Sequence, residues 1–488
     1  MASKTAKKKG ASFFEPIVNF FRDFHKRFVD GSIGTKLSHF ILGAGNLYHK
    51  QIAKGIIYLL LQIVFVLFMV LCPEVNGTPF GYKALIGLNL KGHEAMAGPN
   101  GRPIPASNST LMLLFGIVTL GVIVVYIILW LSAIKSSYLA DKAVEAGKKP
   151  STFKEDWASL LDDRFHVLML TPTCIAALVF TILPTIFMIS MAFTNYNMAE
   201  MAEEEPVRTI FGWNGFTNFV QMFTGGSNLG DELRARFFPV LGWTMIWAVF
   251  ATFTCYFGGI ILAILINKKG VKGKKIFRTV FIMTIALPSF ISLLAIRNLL
   301  NSNGPVNTWL MELGLIEKPI SFLQLNAFDN SPNIARVSVI LINMWIGIPY
   351  TMLMTAGILM NIPEDLYEAA TVDGASKLKM FFKITLPYII FVTTPYLIGS
   401  FVGNINSFNT IFLLTGGGPA IPGGLYSAGQ TDLLVTWLYK LTITEGKYNT
   451  GSVVGILTFL ITSTITLITY RRSKAYNEED TFQWWMKK

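Results

Sequence analysis

Eight apolar runs of membrane-spanning length decide what this chain can fold into. They occupy residues 55–72, 111–134, 167–193, 241–266, 279–300, 337–360, 388–414 and 453–470, and about 20 apolar residues cross a bilayer as a helix. Hydrocarbon offers a backbone amide no hydrogen-bond partner, so each run must satisfy itself as an α-helix. The sequence therefore predicts an all-α, polytopic membrane protein with eight transmembrane helices. Composition agrees, since 52% hydrophobic and 14% charged residues, with a mean hydropathy of +0.50, lie outside the soluble range. Pro172, Pro184, Pro288, Pro349 and Pro395 fall inside runs, where neighbouring helices can meet the freed carbonyls.

The formal charge of +12 raises the question of a nucleic-acid partner, and its distribution answers it. With both termini in the cytoplasm, 30 Lys and Arg lie inside and 10 outside, Arg297 standing apart near the outer end of the fifth run. That bias is the positive-inside pattern and needs no nucleic acid. Residues 1–54 hold ten of these, including Lys7-Lys8-Lys9, and an amphipathic Phe-rich middle. No apolar core follows the basic residues directly, so a cytoplasmic tail resting on lipid headgroups is predicted, or a docking arm, rather than a signal peptide. A second cytoplasmic tail covers 471–488. Arg297, three residues from its helix end, is expected to snorkel outward.

Between the sixth and seventh runs, residues 362–387 are too polar for hydrocarbon and must emerge into water on the basic, cytoplasmic side. Asn361 is predicted to cap a helix from Ile362, with Glu364 and Asp365 favoured by the dipole in its first turn. Leu366, Ala369 and Ala370 share one low face, which allows close approach of a partner, and Glu368 offers a carboxylate. Gly374 permits a left-handed turn. Ser376 can cap a second short helix carrying Leu378, Phe381 and Phe382 that stops before Pro387. An amphipathic loop resting on its own protein is the alternative. Outside the membrane, 194–240 is too short for an ordinary domain, and Gly304-Pro305-Val306-Asn307 reads as a turn before a short helix over Trp309 to Leu315.

Catalytic signals are missing from the sequence. There is no GxxxxGK[ST], Gly270-Val271-Lys272-Gly273-Lys274-Lys275 being a basic turn, so ATP would have to be hydrolysed by another subunit. His25, His39, His49, His93 and His166 form no HExxH and are expected to be solvated; Cys72, Cys174 and Cys255 lack metal or disulfide spacing. No Asp or Glu lies within the eight runs, which argues against an ion-coupled secondary transporter. A membrane docking subunit without transport would keep the polar loop but need no polar residues at mid-membrane.

The polar loop contains Glu368-Ala369-Ala370, then Gly374, then Ile384-x-Leu386-Pro387, seven specified positions over 20 residues. This arrangement resembles the EAA loop by which ABC-importer permeases plug into their ATPase subunits. From about residue 253 to 470, Leu287-Pro288-Ser289-Phe290-Ile291-Ser292, Asn303-Gly304-Pro305-Val306-Asn307, Gly347-Ile348-Pro349-Tyr350, Leu414-Thr415-Gly416-Gly417-Gly418-Pro419 and Thr431-Asp432-Leu433-Leu434-Val435 follow in the order of one family. The chain resembles the larger membrane subunit, MalF type, of maltose/maltodextrin ABC importers.

The resemblance implies a type I ABC importer permease fold: two N-terminal helices in 55–134, a six-helix permease core in 167–470, and a small extracytoplasmic region in 194–240. It implies ATPase docking by Glu368, Ala369, Ala370, Asp373 and Gly374. Sugar contacts carried over from the family fall on Ser289, Ile346, Gly347, Tyr350, Asn404 and Ser407, with departures at Ile285, Gly403 and Ser407 that remove bulk and aromatic stacking. Implied partners are a second permease, two ATPase subunits carrying ATP and Mg, an extracytoplasmic sugar-binding protein, an oligosaccharide and membrane lipid. No cofactor or metal is implied on this chain.

Overall fold

The computed structural model describes residues 15–71, 80–92, 96–97, 103–104, 107–197, 210–226, 228–268, 270–324, 333–421 and 426–472. Lys7 to Lys9, Cys72, His93 and nearly all of 471–488 lie outside them. Among the described residues, seven helices are long and apolar enough to cross a membrane, and a bent pair, taken as one span, brings the number to eight. The chain forms two compact units, 1–190 with 204–213, and 191–203 with 214–488.

In the first unit, α1 (Glu15–Val29), α2 (Ile33–Ser38) and α3 (Ala44–Tyr48) precede the spans α4 (Ile52–Leu71) and α6 (Ser109–Glu145), with α5 (Tyr82–Gly87) between them. A two-residue ladder, Met96–Ala97 with Pro103–Ile104, is the only strand pair among the described residues. α7 (Phe153–Leu161) leads into α8, the span Phe165–Met191. Asn108 caps α6 by accepting from the Leu111 amide at 3.1 Å. Phe65 and Tyr126 stack face to face at 3.7 Å, joining α4 to α6.

The predicted N-terminal tail is, from Ser32 onward, a packed part of this unit. The Ser32 amide donates to Asp141 Oδ2 at 2.9 Å and its hydroxyl to Oδ1 at 2.6 Å, while His49 Nε2 meets the same carboxylate. Thr35 and Ser137 hydroxyls pair at 2.6 Å, and Asn46 donates to Ser136 at 2.9 Å. The basic end of α6 is therefore a polar face that buries small polar residues. His39 and His49 are correspondingly not solvated: His39 sits between the rings of Phe24 and Phe28, and His49 is buried on Asp141. His25 and His166 are exposed as expected.

The second unit begins with α9 (Thr217–Thr224) and α10 (Asn228–Asn267), then α11 (Lys274–Ala286) and α12 (Ser289–Leu299). The fifth run is not one straight helix, because α11 and α12 meet at 95°. Leu287 is extended (ψ 132°) and Pro288, lacking an N–H, cannot continue the ladder. α13 (Pro305–Glu312) starts earlier than predicted, with Gly304 at its N-cap and Pro305 in the first turn. The span α14 (Asn333–Leu359), α15 (Glu364–Val372), the span α16 (Lys377–Ile405), α17 (Phe408–Leu414), α18 (Leu434–Tyr439) and the span α19 (Tyr448–Arg472) complete it.

α10 and α14 are in close contact because small residues remove the barrier between backbones. A Cβ on Gly259 would lie 2.4 Å from Thr351 Cβ, and one on Gly347 would lie 2.5 Å from Cys255 Sγ. One core joins Trp243, Trp247 and Ala251 of α10 to Leu293, Val339, Ile411 and Leu433. The indole N–H groups are satisfied there, Trp243 by Thr431 O and Trp247 by Asn404 O, both at 3.1 Å.

Between α17 and α18, Asp432 is fully buried and packs against the glycine turn at Gly416 to Gly418. Its Oδ2 accepts from Lys440 Nζ at 2.6 Å and from the Gly429 amide at 2.7 Å, and its Oδ1 from the Thr436 hydroxyl at 2.9 Å. Burial pushes the Asp432 carboxyl up, and Lys440 with these donors opposes it. A Cβ on Gly417 would strike Asp432 Oδ1, which gives the turn's glycine a steric reason. Lys440→Ala, by stranding this carboxylate, is expected to cost about 3–5 kcal/mol, read as a lowered unfolding midpoint of the purified protein. An unchanged midpoint would contradict the buried pair.

Candidate functional site

The polar stretch between α14 and α16 folds as predicted in outline, with differences at both ends. α15 starts at Glu364 after Pro363, and Asn361 does not cap it, because Pro363 fixes the extended entry itself. Ile362 is the buried anchor of that entry. Glu364 and Asp365 occupy the first turn. At the other end the Ala375 amide donates to Ala370 O at 2.9 Å and the Gly374 amide to Thr371 O at 3.0 Å. With Gly374 at φ 73°, this is a Schellman stop, the reason a glycine belongs there.

Ser376 caps the next helix by accepting from the Lys379 amide at 3.3 Å. That helix does not stop before Pro387. A π turn over Phe381–Thr385 carries the helix into Leu386–Ile405, with Pro387 immediately after the π turn.

Within this chain the loop has almost no cover. Glu368, Ala369, Asp373 and Gly374 are exposed, Ala370 is half-buried, and Leu366, Val372, Leu378 and Phe382 present apolar side chains to the outside, Val372 at 88% exposure. An amphipathic loop resting on its own protein would have buried these residues. One contact sequence reasoning missed pins α15 from behind: Tyr367 Oη and Thr385 Oγ1 lie 2.8 Å apart, and Thr385 is buried in the π turn.

The residues carried over as sugar contacts are spread over three helices and the link between α16 and α17. Ser289 opens α12 at the break, exposed. Ile346, Gly347 and Tyr350 follow one another on α14. Ile346 packs against the core that contains Leu293, and Gly347 lies against Cys255. Tyr350 is 53% exposed, with its ring stacked on Tyr396 at 5.8 Å. Asn404 of α16 donates to Thr252 Oγ1 at 2.9 Å, so its amide also ties α16 to α10. Ser407 follows it, its amide donating to Asn404 O at 3.2 Å and its hydroxyl to Thr410 at 3.2 Å.

The structure thus brings Asn404 to Ser407 and gathers Ile346, Gly347 and Tyr350, but among the described residues no hydrogen bond joins Ser289 to either set. Tyr396 is an aromatic partner that the sequence reading did not single out. At the departures, Ile285 is exposed and a Cβ on Gly403 would meet no atom within 4 Å. Arg297, expected to snorkel, is exposed and donates to Leu413 O at 3.4 Å.

The apolar spans, the broken span and the exposed, capped polar loop define a polytopic helical membrane protein. Residues 256–474 match the family described as "Binding-protein-dependent transport system inner membrane component". The chain is 34% identical over 445 residues to the maltodextrin transport system permease protein MalC of Streptococcus pneumoniae, covering 90% of this chain and 95% of that one. It is similar at 32% identity over 440 residues to the galactooligosaccharides transport system permease protein GanP of Bacillus subtilis, with coverages of 90% and 97%. To the maltose/maltodextrin permease MalF of Salmonella typhimurium it is 37% identical over 264 residues, 53% of this chain and 49% of that one. The chain belongs to the family of binding-protein-dependent transport system inner membrane components.

The two readings of Gly347, packing and ligand contact, separate experimentally. Gly347→Ala is expected to lower stability by about 1–3 kcal/mol through overpacking, and Cys255→Ala in the same chain to restore most of it. Thermal unfolding of both variants checks this. No recovery in the double variant would contradict the close approach.

Proposed function

We propose that this chain is one half of the translocation pathway of an ATP-driven importer for maltodextrin or a related oligosaccharide. A second permease completes the pathway, two ATPase subunits hold ATP and Mg and hydrolyse it, and an extracytoplasmic binding protein delivers the sugar. The chain itself is non-catalytic, and both its termini lie in the cytoplasm. The observation that carries the reading is the exposure of Glu368, Ala369, Asp373 and Gly374 together with apolar Leu366, Val372 and Leu378 on a loop held by the Tyr367–Thr385 contact.

In this reading the apolar side chains enter a groove on the ATPase and Glu368 meets a basic group or backbone amine at its rim. Closing of two ATPase subunits on ATP draws the loops together. α14 and α16, which flank the loop, carry that movement to Tyr350 and Asn404 as a rigid-body switch. Tyr350 on Tyr396 offers a ring face to a sugar, Asn404 and Ser407 offer donors and acceptors, and Ser289 stands at a broken helix. Discontinuous helices of this kind frame substrate sites in transporters.

A second oligosaccharide class is favoured by one observation. The open space at Gly403 and the aliphatic Ile285 leave room for a longer or differently linked chain, and one similar permease is named for galactooligosaccharides.

Glu368→Lys and Gly374→Asp are expected to lose the ATPase subunit on co-purification while the permease pair survives; retention by both variants would sink the docking claim. In the reconstituted complex, Tyr350→Ala and Asn404→Ala are each expected to reduce sugar-stimulated ATPase roughly tenfold at subsaturating sugar. Maltose, longer maltodextrins and galactooligosaccharides compared side by side identify the substrate. Unchanged stimulation in both variants would remove the proposed sugar site.

A further inference from the structure

We propose that the cleft between α4, α6 and α7 is a binding site for one anionic phospholipid. All of its lining belongs to the first unit, so the site stands apart from the sugar and ATPase readings. The cleft encloses about 670 Å³.

Three cations from three different elements reach it: Lys54 in the first turn of α4, Lys135 on α6, and Arg164 immediately before α8. Asp156 is the one acidic residue in the lining, leaving the cleft at net +2. Lys54 is engaged by the Asp156 carboxylate and by Ser151, through its carbonyl at 3.2 Å and its hydroxyl at 3.1 Å. Lys135 and Arg164 are exposed, and among the described residues their side chains make no hydrogen bond or ion pair. Two uncommitted positive charges thus face a cleft at the basic ends of the spans.

The rest of the lining says what kind of anion fits. The Tyr58 hydroxyl and Ser132 Oγ lie 3.2 Å apart, and further along the helices the walls become Leu61 and Leu129. Polar rim and apolar depth match a phosphodiester with acyl chains, whereas a free phosphate would leave the depth uncovered. A zwitterionic headgroup would bring its own cation against Lys135 and Arg164.

α7 supplies the remaining wall. Thr152 and Glu155 form its capping box, and Phe153, Trp157 and Leu160, at successive helical turns, line the cleft. Phe153 and Trp157 are also exposed. A short helix with this pattern lies in the headgroup plane, where aromatic rings are favoured. Basic pockets between spans at that level select anionic headgroups.

The test uses the full chain with its partner subunits, delipidated in detergent and titrated by native mass spectrometry with phosphatidylglycerol or phosphatidylcholine of identical acyl chains. The wild type is expected to bind phosphatidylglycerol at least tenfold more tightly. Lys135→Gln/Arg164→Gln should lose roughly thirtyfold of that affinity and leave phosphatidylcholine binding unchanged. The charge-conserving Lys135→Arg/Arg164→Lys variant should keep the preference, which separates charge from folding. Equal binding of the two lipids, an intact preference in the Gln variant, or displacement of phosphatidylglycerol by an equal concentration of inorganic phosphate would each overturn the proposal.

Discussion

Hydrocarbon cannot hydrogen-bond a peptide group, and the rest of this structure depends on that fact. Within the bilayer this makes helices of the spans, and at two of the turns outside it the backbone is likewise taken up locally. After α15 the Ala370 and Thr371 carbonyls receive the amides of Ala375 and Gly374. In the glycine turn before α18, Thr415 accepts from the Gly417 amide and Asp432 from the Gly429 amide. At Leu287–Pro288, proline removes one donor at the break itself. Of these departures, the stop after α15 and the break at Leu287–Pro288 adjoin positions proposed to carry function, whereas the glycine turn is structural.

α10 is the shared wall of the second unit. It meets α14 at Cys255 and Gly347, and α16 through Thr252 to Asn404 and through Tyr256 to Thr393 at 2.6 Å. The two helices that bracket the exposed loop therefore lean on one long helix. Packed contacts of this kind shift as bodies rather than bend, as the proposed transmission from the loop to the helices beside it requires. The Tyr367–Thr385 contact adds a tie at the loop itself, binding α15 to the first turns of α16.

The spans, the basic-side bias and the outline of the loop were legible because they rest on local properties: run length, charge and a glycine at a helix stop. Leu287-Pro288 was visible as a motif, but proline is tolerated in spans, so the 95° bend was not. The packing of Ser32 onto Asp141 spans 109 residues of sequence, and nothing near either residue announces it. The same holds for Asn404, whose amide donates to Thr252, 152 residues away in sequence. Helix continuity through Pro387 depended on a π turn, which has no composition signal.

The central claim is that residues 364–378 form a surface awaiting a partner ATPase. Hydrogen–deuterium exchange of the permease pair, with and without the ATPase subunits, tests it most directly. The account predicts slowed exchange in 364–378 on assembly, concentrated around Glu368 to Gly374, with the amides of α6 unchanged. Exchange in 364–378 that is the same in both states would contradict it.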